Sequence, residues 1–505
     1  MILLLLALTM TFVAIAQKAI YKNIDQLSES YAKQSFDELK TFFGLPNDAH
    51  FPADIELNMQ WCEQAFQKRG FTTERLETSE IPLLLATRSH RKATKTVLIY
   101  LQIDGQPVDT SKWFQPDPYE ATLKNGGADG KGEILSWAKL QGEINPDWRI
   151  FARSASDAKG PVMMFLKAMD IINDHHFNPD YNIKVIMDFE EEISSPRLPK
   201  AVIDYQRKLS ADRLVIFDGP RHISNEPTLT YGARGIVTLS LEVFGPRAPQ
   251  HSGHYGNYVP NPALRLSQLL SSMMHENGRV AIPGWYEGIT ISEEVRKTLQ
   301  AVPDDEDEMR KKLGISAIDQ VANNYQEAMQ YPSLSILGLQ SGWVGDQTRT
   351  IIPASATAEM NIRLVKETDA ERMVSLVKSH ILSQGYHLIS GEPTEEERQE
   401  YSKIARFDYQ IAYEAFRTEL DSDTGIWLRS AMRKAFAKAP IEIRTGGGSI
   451  PISPFVNTLN IPAVIVPTVN KDNNQHSPNE NIRLGNYLEG IKTITVILCE
   501  PIEKK

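Results

Sequence analysis

The sequence predicts an α/β protein: a discontinuous domain built on a mostly parallel sheet, interrupted by an inserted ferredoxin-like α+β domain. Strand-like and helical runs alternate as far as Asp218, which argues for a parallel sheet covered on both faces. After Arg234-Gly235 the texture changes to the order strand, helix, strand, strand, helix, strand, the split ferredoxin-like unit. After about Ser422 the α/β texture returns, so the first domain is divided in the chain.

At 505 residues the chain can bury more than one core. Its first sixteen residues, Met1–Ala16, are apolar apart from two threonines and end in Ala14-Ile15-Ala16, a small-x-small pattern that fits signal-peptidase cleavage before Gln17. The expectation is an export signal over residues 1–16 and a periplasmic or extracellular mature protein. As a helix that stretch would be about 24 Å long, short of the roughly 30 Å hydrocarbon core, so no stable membrane span is expected. No lysine or arginine precedes the apolar run, and no cysteine follows it to accept lipid.

From Asp25 to about Arg75 the pattern is helical, with Met59–Lys68 apolar at spacings of three and four. The apolar, β-branched runs Thr96–Ile103, Ile183–Met187, Leu214–Phe217 and Ala463–Val466 read as strands, and a helix begins near Lys159. In the insert, Ile236–Phe244, Ser333–Leu339, Ala356–Leu364 and Tyr386–Ser390 read as strands, with helices over Asn261–Met274 and Asp369–Ser383. The charged stretches Asp304–Lys312 and Glu392–Glu400 read as solvated decoration, and a helix is expected near Trp427–Lys438. The resulting bounds are 17–235 and 421–505 for the divided domain and 236–420 for the insert.

A formal charge of −10, with no Lys/Arg-rich run, gives no face for phosphate backbones, so nucleic acid is not an expected partner. Cys62 and Cys499 provide neither a disulfide framework nor a thiolate zinc site. They read as two buried free thiols, with a bridge between them as the alternative in an exported protein. The Gly126–Gly132 stretch lacks the spacing, the Ser/Thr after lysine and the preceding strand of a phosphate loop, and reads as a surface loop.

The chemistry gathers at strand ends. Each of the four apolar runs is followed by acidic or imidazole residues: Asp104 after the first, Glu191 and Glu192 after the second, Asp218 after the third and His476 after the fourth. In doubly wound folds the ligand crevice lies beyond the carboxyl ends of the strands. The run Glu190-Glu191-Glu192 at a buried strand's end is costly without compensating cations. Carboxylates and an imidazole are the usual oxygen and nitrogen ligands of zinc or manganese.

With Gln102-Ile103-Asp104, the loop Arg153-Ser154-Ala155-Ser156-Asp157-Ala158-Lys159-Gly160, the acidic turn through Ser195, His251-Ser252-Gly253, Gly447-Gly448-Ser449-Ile450-Pro451 and His476-Ser477-Pro478-Asn479-Glu480, the chain resembles the aminoacylase/carboxypeptidase family of co-catalytic zinc metallopeptidases. The resemblance runs from about Ile55 to the C-terminus and is nearest to the carnosinase-like dipeptidase branch.

The resemblance implies that Asp157 bridges two metal ions, that one ion takes Glu192 and His476, and that the other takes Asp218. It also implies Glu191 as general base, Asp104 as the residue that orients a ligand or tunes the base, and hydrolysis of an amide by metal-activated water. The cofactor implied is Zn2+, as one or two ions, with Mn2+ or Co2+ as alternatives. His251, Thr350, Arg363, Gly448 and Ser449 match substrate-contacting positions, with His251 often acting across a dimer, so a homodimer is expected. The implied substrate is a dipeptide or short peptide, or alternatively an N-acyl amino acid. The chain departs from the family at Gln102, a metal-ligand position where the family has histidine. A glutamine carbonyl is a poorer zinc donor than imidazole, which leaves a catalytically impaired binding protein as a further alternative. Phe189, Ser194 and Ser154 stand where the family has glycine.

Overall fold

The computed structural model describes residues 16–502, so the expected export signal lies, all but Ala16, outside the described residues. No described helix is long and apolar enough to cross a membrane. The chain divides into two compact units. The first comprises the chain up to Gly232, Arg417–Arg444 and the chain from Pro454 onward; the second comprises Ala233–Phe416 and Thr445–Ser453. The short Thr445–Ser453 segment therefore belongs with the insert, although the sequence pattern placed it in the divided domain.

The first unit is built on an eight-stranded sheet, in the order Thr72–Leu76, Leu83–Arg88, Asn182–Asp188, Thr96–Gln102, Arg213–Ile216, Ala463–Ile465, Thr228–Thr230, Ile441–Ile443. The four middle strands are mutually parallel. They are the four apolar runs, and they are almost wholly buried because helices cover both sheet faces. Parallel pairing predominates, as expected, and the sheet is mixed at its flanks: Thr72–Leu76 pairs antiparallel with Leu83–Arg88, which pairs antiparallel with Asn182–Asp188, and Ile465 pairs antiparallel with Thr230. The link between the first two strands is too short for a crossover helix, and a short link permits only an antiparallel pair.

The helices Lys159–Asp174 and Leu484–Cys499 pack on each other and on Ile24–Phe43. Both of the first two are apolar on nearly every side, as helices inside a core must be. Cys62 and Cys499 are buried and unpaired.

A second, smaller antiparallel sheet runs Asn481–Arg483, Arg149–Phe151, Thr122–Asn125, Glu133–Ile134. The Gly126–Gly132 stretch is the turn between its last two strands, so a strand does precede it. Here Phe151 lies opposite Asn481, which brings the chain just before Asp157 beside the chain just after His476.

The second unit holds a five-stranded sheet in the order Ser333–Gln340, Ser355–Leu364, Gly235–Phe244, Ile404–Tyr413, His387–Ile389. Burial alternates along Gly235–Phe244, with Val237, Leu239, Leu241 and Val243 packed under the helices Pro262–Ser272 and Ala370–Ser383. One strand differs from expectation. The strand beside Gly235–Phe244 is Ile404–Tyr413, and the predicted fourth strand survives only as His387–Ile389 at the sheet's edge, parallel to it. The register explains the choice, since Ile404–Tyr413 pairs along nearly the whole length of Gly235–Phe244 and the three-residue strand cannot.

Candidate metal centre

Parallel pairing sets Gln102 opposite Asp188, so the loops that carry Asp104 and Glu191 leave the same edge of the main sheet. There they are laced together. The carboxylate of Asp104, 0% exposed, accepts the backbone N–H of Glu191 at 3.0 Å and that of Glu192 at 2.9 Å. Asp188 accepts the hydroxyls of Tyr100 and Ser195 at 3.0 and 2.6 Å and the N–H of Glu190 at 3.0 Å. Two buried acids thus hold the three-glutamate turn from opposite ends.

The adjacent glutamates differ. Glu190 is paired with Arg197. Glu191 faces only acids: burial first, then Glu192, Asp218, Asp157 and Asp104, push its carboxyl well above the ordinary range. Burial and Asp157 likewise raise Glu192 to about 8 and Asp218 to about 7. The hydrogen bond to Asp157 and the nearby Glu192 raise His476 to about 9.

Asp157, Glu192 and His476 converge, with ligand atoms all within 4.8 Å of one another. His476 Nε2 lies 3.0 Å from Asp157 Oδ2 and 3.2 Å from Glu192 Oε2. Gln102 Nε2 donates to Asp157 Oδ1 at 2.5 Å, and Gln106 Nε2 donates to Glu192 Oε2 at 2.9 Å. The oxygens Glu192 Oε1 and Gln102 Oε1 are buried with no hydrogen-bond partner. Asp218, which accepts the Gly219 N–H at 2.6 Å, completes the ring of acids around Glu191.

A divalent cation fits this donor set. Carboxylates that raise one another's proton affinity, around an imidazole and an orphaned buried oxygen, are relieved by a positive charge at their centre. The side chain of His476 is 53% exposed, so the cluster is open on that side.

Glu480 closes the motif that begins at His476. Fully buried, it accepts the backbone N–H groups of Ser154, Ser156 and Asp157, each at 2.9 Å, and Arg153 Nη1 at 2.7 Å. Lys159, also buried, donates to the carbonyls of Phe42 and Leu45 at 2.9 and 2.6 Å, tying the far end of the loop to the end of the first long helix. Burial lowers its pKa to about 7. In the sequence Glu480 is signalled by its place four residues beyond His476, which does not distinguish a solvated acid from one folded inward.

Two of the serines at family glycine positions keep a glycine-like backbone, with φ of 61° at Ser154 and 70° at Ser194. Phe189 has no positive φ and is buried in the core.

The predicted substrate contacts lie in the second unit, where they form two pairs. The Ser252 N–H donates to the Thr350 carbonyl at 2.9 Å, so Thr350 adjoins the His251 turn. His251 Nδ1 accepts the Gly253 N–H at 3.1 Å, which leaves the proton on Nε2. Arg363 Nη1 donates to Ser449 Oγ at 2.7 Å, and Gly448 accepts the Arg234 N–H through its carbonyl at 3.2 Å.

The chain resembles the fission-yeast (Schizosaccharomyces pombe) Cys-Gly metallodipeptidase dug1, 26% identical over 86% of each chain. It resembles the human Beta-Ala-His dipeptidase at 27% identity, over 83% of this chain and 77% of that one. Among solved structures, the M20 family metallo-carboxypeptidase Sso-CP2 of Sulfolobus solfataricus superimposes with a TM-score of 0.76 at 26% identity, over 92% of this chain and 98% of the other. The model of peptidase family M20/M25/M40 matches residues 98–500, a span that contains Asp104, Asp157, Glu191, Glu192, Asp218 and His476, and the chain belongs to that family.

Proposed function

We propose that this protein is a metal-dependent hydrolase that cleaves the amide bond of dipeptides or short peptides. The observation that carries the proposal is the carboxylate of Glu191, which has no hydrogen-bonding or ion-pair partner among the described residues and stands among the acids Glu192, Asp218, Asp157 and Asp104, beside the Asp157, Glu192 and His476 cluster. The dipeptidase activities named for two of its relatives support the substrate class.

Asp157, Glu192 and His476 would hold the cation, with Asp218 next to them. When bound, a divalent cation polarises a carbonyl and lowers the pKa of water toward neutrality. Glu191 takes the proton from the attacking water and passes it to the leaving amine, a task suited to an acid whose proton affinity has been raised. Asp104 positions that base by holding the N–H groups of Glu191 and Glu192. His251 offers its Nε2–H to the carbonyl oxygen, and Arg363 with Ser449 receives the free carboxylate, with Thr350 and Gly448 shaping the two turns. Pairing of a carboxylate with Arg363 favours short substrates over protein chains.

Zn2+ is the proposed ion, since a mixed carboxylate and imidazole set suits it. The protein is further proposed to be exported, on the composition of Met1–Ala16, and to act as a homodimer. Dimerisation is supported by the edge strand Ser333–Gln340, which leaves Leu337 and Leu339 exposed and is followed by exposed Trp343 and Val344.

The test is hydrolysis of Cys-Gly, β-Ala-His and N-acetyl amino acids by chelator-treated protein restored with Zn2+, Mn2+ or Co2+. Dipeptide cleavage restored by metal is expected. Cleavage of the acetyl compounds alone would make it a deacylase, and no turnover with any ion would make it a binding protein.

A further inference from the structure

Gln102 occupies the strand end beside Asp157, and the structure gives its amide a definite task. Its Nε2 donates to Asp157 Oδ1 at 2.5 Å, while Asp157 Oδ2 faces His476 Nε2 at 3.0 Å. Each Asp157 oxygen therefore already has its own partner. Gln102 is 2% exposed, and its Oε1 has no hydrogen-bond partner. Oxygen and nitrogen sit on one planar carbon, so turning Oε1 toward a cation at Asp157 Oδ1 would withdraw the N–H that now satisfies it.

The remaining acid on that side is Asp218, which takes the Gly219 N–H on Oδ1 at 2.6 Å. Among the described acids and histidines, the group whose ligand atoms converge contains Asp157, Glu192 and His476 and does not include Asp218.

We propose that this chain holds one tightly bound divalent cation, on Asp157, Glu192 and His476, and that Gln102 takes the place of a second cation by hydrogen bonding the Asp157 oxygen that would otherwise be shared with it. The inference rests on the metal-dependent reading of the site and sets how many ions that site keeps. A neutral amide N–H fixes the orientation of a carboxylate as a cation would, without needing the strong donors that a second ion requires. Gln102 is thus a positioning residue for the Asp157 carboxylate.

The experiment is metal stoichiometry on the full chain: chelator treatment, saturation with Zn2+, gel filtration to remove the excess, and plasma mass spectrometry of the protein peak. One ion per chain is expected, rising to two in Gln102→His. Two ions, or none, on the unaltered protein would overturn the inference, as would one ion on a folded Gln102→His variant. If that variant does not fold, the electron paramagnetic resonance spectrum of the unaltered protein saturated with Mn2+ and freed of excess decides the matter. An isolated-ion six-line signal is expected, and an exchange-coupled pair would overturn the inference. One retained ion without dipeptide turnover would remove the proposed reaction and leave this inference standing; two ions in an active dipeptidase would do the reverse.

Discussion

Glu480 and Asp157 are joined through the backbone: the buried Glu480 carboxylate accepts the Asp157 N–H at 2.9 Å, and two further N–H groups of the same loop converge on it. The loop is moulded around one acid, and Arg153 neutralises that acid from the other side. The aspartate proposed to hold the metal is thereby aimed by an acid whose own oxygens are taken up by backbone N–H groups and Arg153.

Glu480→Gln replaces one oxygen with an N–H facing other donors and leaves Arg153, 3% exposed, without a charged partner. Loss of about 3 kcal/mol of stability is expected, with metal affinity lowered roughly 10- to 100-fold. Thermal unfolding and metal titration read the two effects separately. A variant with unchanged metal affinity would show that the loop keeps its shape unaided.

Glu191→Gln should lower kcat by roughly 10^2- to 10^4-fold, the usual contribution of a positioned acid–base group. Its metal content should stay unchanged. Glu190→Gln is the control: it disturbs the Arg197 pair and should cost stability while leaving turnover within a few-fold. The reverse pattern in steady-state kinetics would move the base to Glu190.

Arg363→Ala should raise KM for dipeptides about 10- to 100-fold, in line with the loss of a charge-assisted hydrogen bond worth roughly 1.5–3 kcal/mol. Dipeptide amides, which lack the free carboxylate, should be hydrolysed equally by both proteins. An equal loss on acids and amides would assign Arg363 a purely structural role.

Metal removal should make stability depend on pH. Asp218 and Glu192 have folded values of about 7 and 8, against ordinary values near 4, and His476 about 9. Groups whose folded pKa is raised contribute stability that is fully present below their unfolded pKa and is lost as pH rises through the folded one. Chelator-treated protein should therefore lose Tm between pH 5 and 9, while metal-loaded protein should change little. Cation binding near pH 7 should also release protons, visible as a dependence of calorimetric heat on buffer. A flat Tm in the chelated protein would contradict the mutual repulsion of these acids.

Ser194 and Ser154 share a left-handed backbone and should respond differently to glycine. Exposed Ser194→Gly relieves that conformation and should stabilise by about 0.5–1 kcal/mol. Buried Ser154 also accepts a hydrogen bond from Asn47 Nδ2 at 2.9 Å, so its replacement by glycine should gain nothing. Thermal unfolding of the two variants checks the contrast.

The four strand ends are visible in the sequence because each closes a largely apolar run, with an acid within a few residues of the first three and His476 ten residues beyond the fourth, and a parallel sheet collects such ends at one edge. The sequence also made Glu191 distinguishable from Glu190 through resemblance alone; the physical reason, Arg197 on Glu190, depends on a contact that no pattern announces. The strand Ile404–Tyr413 was passed over because its middle residues, Asp408 among them, face outward and blur its alternation. The small sheet of Arg149–Phe151 and Asn481–Arg483 was missed for a simpler reason. These two strands are three residues each, too short to show a period, and they pair across hundreds of residues.

That short pairing has a consequence for how the site assembles. His476 and Glu480 enter the fold together, on the stretch leading into Asn481–Arg483, which pairs with Arg149–Phe151. Until that pairing forms, the carboxylates of Asp157 and Glu192 have no imidazole between them and the Asp157 loop has no acid to shape it. The cluster is therefore completed by a contact that spans 323 residues, among the later and entropically costlier closures of the fold.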